Sequence, residues 1–203
     1  MTPMPRDSSN NRHMREHIAH LAARLMAVDG IDDYALAKRK AAREAGAQST
    51  RNLPNNDEIA SALRTYQTLY QPDDQRKRLR QLRTEARNMM ELLAGFDPYL
   101  SGTVASGLAG KYSTINLLLF TDSVKDVELF LLDRRLEYRN SERRVHIGQH
   151  FHDVPNFNIS NENADFTINV FTRRDLRAPI RSAPDGRPLE RIGIDWLNAA
   201  LAE

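Results

Sequence analysis

The run Ser113-Thr114-Ile115-Asn116-Leu117-Leu118-Leu119-Phe120 constrains the fold more than any other stretch of this chain. It is apolar and β-branched, and turn formers bound it, which is the pattern of a mostly buried strand. Directly before it lies a glycine-rich segment, Gly102-Thr103 followed by Ser106-Gly107-Leu108-Ala109-Gly110. A strand, a glycine turn and a second strand can bring backbone N–H groups close to a phosphate. The same Gly-Xaa-Xaa-Gly spacing also serves plain turn geometry.

Around this stretch the chain changes character. Upstream, Ile18, Leu21, Ala22, Leu25 and Met26 repeat with helical spacing up to Gly30, and Asp32-Asp33 opens a second helix that stops near Gly46. Asn56 is the expected N-cap of a third helix, with Asp57 and Glu58 in its first turn and Ile59, Leu63, Tyr66 and Leu69/Tyr70 on one side. Pro72 ends that helix. A fourth is expected from about Asp73 to Ala94, with Leu79, Leu82, Ala86, Met89/Met90 and Leu93 as its core stripe. From Phe96 onward the apolar runs shorten. Strands are expected near 98–104, 113–121, 135–139, 143–148, 152–159 and 164–172, with helices at about 123–133 and from Glu190 to Ala202. A helical half followed by a mixed half is an α+β arrangement. The expected organisation is a disordered arm over residues 1–11, a helical region over 12–95 and an α+β domain over 96–203.

Composition excludes several classes of function. With no cysteine in 203 residues, there is neither a disulfide framework nor a thiolate nucleophile or metal ligand. No apolar run approaches the length of a membrane span, and the polar N-terminus lacks a signal-peptide segment. A cytoplasmic protein without a membrane partner is expected. The net charge of +2 is small, and it is spread evenly. Residues 1–97 carry 16 basic and 13 acidic groups, and 98–203 carry 13 and 14. Neither half is a basic nucleic-acid module.

The central stretch resembles the nucleotidyltransferase superfamily, the polymerase-beta-like fold. There a strand ends in Gly-Ser or Gly-Thr, a short turn follows, and the next strand carries Ser-Asp-Xaa-Asp-Leu. It is most similar to a bacterial group of about 200 residues with the core Gly-Thr-Ala-Gly-Xaa-Xaa-Ser-Asp-Ile-Asp-Leu. Gly102-Thr103 matches the Gly-Ser/Thr element, and Gly107 to Leu117 covers the core. The resemblance implies a mixed sheet flanked by helices, with 113–121 inside it between 98–104 and 164–172. It also implies nucleotide contacts at Gly102, Thr103, Gly107, Leu108, Gly110, Lys111 and Ser113, with a nucleoside triphosphate as the partner.

The departures fall on the chemistry. Thr114 and Asn116 occupy the two aspartate positions, and Leu108 replaces the Thr of the family turn. In an active member those carboxylates share Mg²⁺ bridging the triphosphate. Thr and Asn hydrogen-bond but carry no charge. Asp165 stands where the superfamily often places a third carboxylate, and alone it implies Mg²⁺ only through residual activity. Asp122 lies six residues past Asn116, roughly 20 Å along a strand, and cannot substitute. Gly110-Lys111 is followed by Tyr112, so no P-loop is present. The expected function is a nucleotidyltransferase-fold protein with a degraded metal site, a non-catalytic nucleotide- or partner-binding protein. The alternatives are a residual metal-dependent enzyme and a nucleic-acid-binding module.

The last alternative rests on Arg76, Arg80, Arg83 and Arg87, which share one face of the fourth helix and could contact phosphates. A solvated flank is the expected reading, and more so for Lys38-Arg39-Lys40 and Arg43. His13, His17 and His20 share a helix face at a chelating spacing, but an exposed polar face is the expected reading. His146, His150 and His152 have even spacing, interrupted by the expected turn at 148–151.

Overall fold

The computed structural model describes residues 6–31, 33–47, 52–70, 72–148, 150–181 and 188–202. It is an α+β fold, with a helical N-terminal half followed by a mixed sheet. The helices are α1 (Arg6–Asp29), α2 (Tyr34–Glu44), α3 (Asn56–Tyr70), α4 (Pro72–Leu92), α5 (Gly102–Ala105), α6 (Val124–Asp133) and α7 (Ile194–Ala202). The strands are β1 (Pro98–Ser101), β2 (Ile115–Phe120), β3 (Tyr138–Ile147), β4 (His150–Ser160), β5 (Asp165–Phe171) and β6 (Ile180–Arg181). No helix among the described residues is long and apolar enough to cross a membrane.

The chain forms two compact units: Met1–Arg78 with Leu108–Ser113, and Leu79–Gly107 with Thr114–Glu203. This division differs from the expected break at residue 95. It falls within α4, and 108–113 returns to the first unit. Helix α1 also starts at Arg6, inside the stretch expected to be a disordered arm; residues 1–5 lie outside the described residues.

In the first unit, α1 contributes Ile18, Ala19, Ala22, Ala23, Leu25 and Met26 to a core shared with Ala37, Ala41 and Ala42 of α2 and Ile59, Ala62 and Leu63 of α3. The alanines let the helices approach closely. Asp33 opens α2 as expected, its carboxylate accepting from the Ala35 and Leu36 N–H groups. The cap of α3 is Asn55 rather than Asn56. Asn55 Oδ1 accepts from Glu58 N, and Glu58 Oε2 accepts from Asn55 N, a reciprocal box. Arg15 clasps the same Glu58 with two bonds of 2.7 Å. His13, His17 and His20 are exposed on α1.

The second unit is built on a six-stranded sheet in the order β1-β2-β5-β4-β3-β6. Among the described residues, only β2 and β5 are parallel; the other neighbours are antiparallel. As expected, β2 is internal, between β1 and β5, and Ile115, Leu117, Leu118, Leu119 and Phe120 are buried. Helix α6 begins at the Ser123 cap, whose hydroxyl accepts from Asp126 N.

Three boundaries differ from expectation. The two strands expected at 135–139 and 143–148 are one continuous strand, β3, because pairing with β4 runs through the polar middle. β1 stops at Ser101, since Gly102 turns at φ +74° into α5. α7 starts at Ile194, because residues before it pair instead: Leu189 N donates to Ile180 O, and Ile192 bridges to Leu100.

The Asn55–Glu58–Arg15 group should be the pH-sensitive element of the helical unit. The Arg15 hydrogen bonds, and then the Asn55 backbone bond, hold the Glu58 carboxyl below its ordinary value. A depressed carboxylate contributes stability above its unfolded pKa and loses it as pH falls through the folded value. The expected cost of Glu58→Gln is about 1 kcal/mol at neutral pH, because the group is partly exposed. In urea titrations the gap to wild type should be full above the ordinary glutamate range and should close as pH falls below it.

Candidate functional site

Residues directly paired across neighbouring strands project to the same face of a sheet. The registers therefore align Ser101, Asn116, Thr167, Asn158 and Arg139 in one row across β1, β2, β5, β4 and β3. The next row on that face is Tyr99, Leu118, Asn169, Asn156 and Ser141. Further along, the face becomes apolar, and Leu118, Phe120, Val145, Ile147, Val154, Phe171 and Ile180 form a closed cluster. Arg191 seals that end. Its guanidinium lies over the Phe120 ring and donates to the carbonyls of Leu176 and Ala178.

The polar end is internally bonded. Asn156 Nδ2 donates to Asn169 Oδ1 at 3.0 Å, with both residues buried. Thr167 Oγ1 donates to Asn158 Oδ1 at 3.2 Å, and Ser141 Oγ reaches Asn156 Oδ1 at 3.4 Å. Asn116 is half-buried, and its amide donates to Thr114 O at 3.3 Å. Ser101 is 2% exposed, and its Oγ meets no hydrogen-bond partner among the described residues.

Gly102 fits closely over this row. A Cβ there would stand 3.0 Å from Asn116 Nδ2, and the backbone is at φ +74°, so a glycine is required twice over. Thr103 follows, buried in α5. Gly102 and Asn116 thus meet.

Asp165 shares a face with Asn116, but one row further out. Its direct partner is Ser160, whereas Asn116 is paired with Thr167. The offset is about 7 Å along the strand, and Asp165 is exposed. A Mg²⁺ site needs carboxylate or phosphate oxygens in close octahedral array. A row of Ser, Asn, Thr and Asn with one carboxylate a row away does not fit that ion. Among the described residues, no group of three His, Cys, Asp or Glu side chains could hold a metal.

The remaining expected nucleotide contacts divide between the units. Gly102, Thr103 and Gly107 belong to the second, while Leu108, Gly110, Lys111 and Ser113 belong to the first. In the first unit they have structural work. Leu108 joins the helical core, and the buried Gln67 amide donates to Leu108 O at 3.0 Å. Gly110 N donates to Ser113 Oγ at 2.9 Å, so this N–H is already used. A Cβ on Gly110 would sit 3.4 Å from Ala27 O, which makes the glycine a packing residue. Lys111 is exposed, with its ammonium 5.1 Å from the Tyr112 ring centroid.

The arginine face is likewise drawn into structure. Arg83 is half-buried, its guanidinium reaches Val104 O and Ala105 O at 3.4 Å, and it lies over Trp196. Burial lowers its pKa from the ordinary arginine value. Arg80 donates to Leu201 O at 2.6 Å, closing the C-terminal end of α7, and Arg87 faces Glu91 at 3.7 Å. Arg76 is exposed and belongs to the first unit. The histidines of the hairpin also separate. His150 and His152 pair with Ile147 and Val145 on one face, while the buried His146 pairs with Phe151 on the other.

Sequence reasoning missed the amides Asn156, Asn158 and Asn169. The available signal was their alternation: Asn156 and Asn158 lie two apart on one strand, and Thr167 and Asn169 two apart on the next. The chain matches no family model, no curated protein and no solved structure.

The closeness of Gly102 to Asn116 is testable by a double-mutant cycle. Gly102→Ala should cost about 1–3 kcal/mol in urea unfolding, from backbone strain and the close amide. Asn116→Ala should recover part of that loss in the Gly102→Ala background. Strictly additive effects would show that the two residues do not touch.

Proposed function

We propose that this chain is a non-catalytic binding protein on a nucleotidyltransferase-like fold, taking a nucleotide or a partner's polar group on the sheet face around Asn116. The observation that carries the reading is the neutral row Ser101–Asn116–Thr167–Asn158, in register across four strands beside Gly102. Asparagine amides and hydroxyls donate and accept hydrogen bonds, as the edges of a nucleobase and the hydroxyls of a ribose require. They supply no negative charge to gather metal ions around a triphosphate, and phosphoryl transfer depends chiefly on that electrostatic stabilisation. Base and sugar recognition without turnover is therefore the proposed role. The proposed location is cytoplasmic.

Titration calorimetry with the common nucleoside triphosphates, with and without Mg²⁺, tests this. Weak binding is expected, unchanged by the metal and reduced at least about fivefold (about 1 kcal/mol) by Asn116→Ala. The double variant Thr114→Asp with Asn116→Asp places two acids beside Asp165. Mg²⁺ or Mn²⁺ should raise its melting temperature and leave the wild type unmoved. Metal-dependent nucleotide transfer by the wild type, abolished by Asp165→Asn, would replace this reading with that of a working enzyme.

A further inference from the structure

Strand β3 is paired along its whole length with β4, from Tyr138 with Ile159 to Ile147 with His150. On its other side, β6 pairs only with His146 and Ile147. Among the described residues, Tyr138 to Val145 therefore form an open edge of the sheet. The direction of its backbone follows from Gly148, whose N–H donates to Pro179 O on the β6 side. Backbone groups alternate sides along a strand, so Arg144, Glu142, Asn140 and Tyr138 aim their N–H and C=O groups outward. Residues 138–144 are exposed or half-buried and include neither proline nor glycine. Neither proline nor a bulge protects the edge; what guards it is charge, Arg139, Glu142, Arg143 and Arg144, which disfavours any added strand of unsuited charge.

The side chains of this edge say what kind of strand would fit. Arg139, Ser141 and Arg143 share one face; Asn140, Glu142 and Arg144 share the other. Arg144 is committed to Asp153 by bonds of 2.9 and 3.0 Å. Neither Arg139 nor Arg143 is paired with an acid among the described residues. A second copy of this edge is a poor partner. Two-fold antiparallel pairing keeps each face on its own side, so it joins only residues of like parity. Centred on Ser141, it sets Arg139 against Arg143; centred on Arg139, Glu142, Arg143 or Arg144, it sets a charge against its own copy; centred on Asn140, it avoids like charges but leaves Arg143 and Arg144 beyond the paired strands. Like charges directly opposite destabilise a pair of strands.

We propose that the Tyr138–Arg144 edge accepts an extended segment of a partner protein as an added strand, with two acidic side chains four residues apart opposite Arg139 and Arg143. The backbone at Asn140 and Glu142 supplies the hydrogen bonds that hold such a segment. The two arginines select its charge, because exposed ion pairs discriminate more than they hold.

Selection of a displayed random-peptide library on the full chain tests the proposal. Peptides with Asp or Glu four residues apart should be enriched. The Arg139→Glu, Arg143→Glu double variant should instead enrich Lys or Arg at that spacing. Asn140→Pro removes one outward N–H at an edge position where proline is tolerated. It should leave the melting temperature unchanged and weaken the selected peptides at least about tenfold. Selected peptides that bind Asn140→Pro as well as wild type would overturn the proposal, as would the absence of any charge-dependent enrichment. Concentration-dependent dimerisation of the chain, abolished by Asn140→Pro, would overturn it in favour of a second copy.

Discussion

The second unit depends on the parallel pairing of β2 with β5. A parallel neighbour cannot be reached by a tight turn and needs a crossover connection. Here the chain leaves β2 at Phe120 and returns at Asp165, and between them it builds α6 and the β3–β4 hairpin. The antiparallel neighbour on the other side is β1, so the backbone of β2 is paired along both edges. Its side chains are buried on both faces except at Asn116, which is half-buried. That one residue marks where the sheet stops being core.

From there the face obeys a different energetic rule. A buried amide costs on the order of 1–3 kcal/mol when left without a partner. Asn156 and Asn169 avoid that cost by bonding each other across β4 and β5. Each therefore commits the other: an apolar residue at 156 would leave Asn169 Oδ1 without this donor, and one at 169 would leave Asn156 Nδ2 without this acceptor. The contrast with the Phe120 end is direct: that end is closed by packing and by the Arg191 guanidinium, whereas the polar end is closed by reciprocal hydrogen bonds.

Much of this arrangement was legible in the sequence, for definite reasons. The run from Ile115 to Phe120 is too short and too continuously apolar for a surface helix, and it became the internal strand between β1 and β5. Asp33 announced its helix because a carboxylate at an N-cap does a local job that needs no tertiary context. The Asn55 cap was misplaced by one residue, since Asn55 and Asn56 offer the same chemistry and only the reciprocal bond with Glu58 separates them. Arg80 and Arg83 share their face with Arg76 and Arg87, and periodicity alone cannot show that carbonyls of α7 and α5 await them. The amide row was hidden for a related reason. Asn116 is far in sequence from Thr167 and Asn158, and only strand register makes them neighbours.

The return of Leu108–Ser113 to the helical unit has a consequence for how the protein is made. A ribosome delivers the chain from one end, and a unit can close only when all its parts have emerged. Helices α1 to α3 are complete by Tyr70, yet the buried Gln67 amide waits for the carbonyl of Leu108, and the apolar cluster waits for its side chain. By then α4, β1 and α5 have also been synthesised. The N-terminal helices cannot finish as an early, independent folding event. Their last contact arrives with the segment that leads directly into β2, so the closing of the helical unit and the start of the sheet fall at the same point in synthesis.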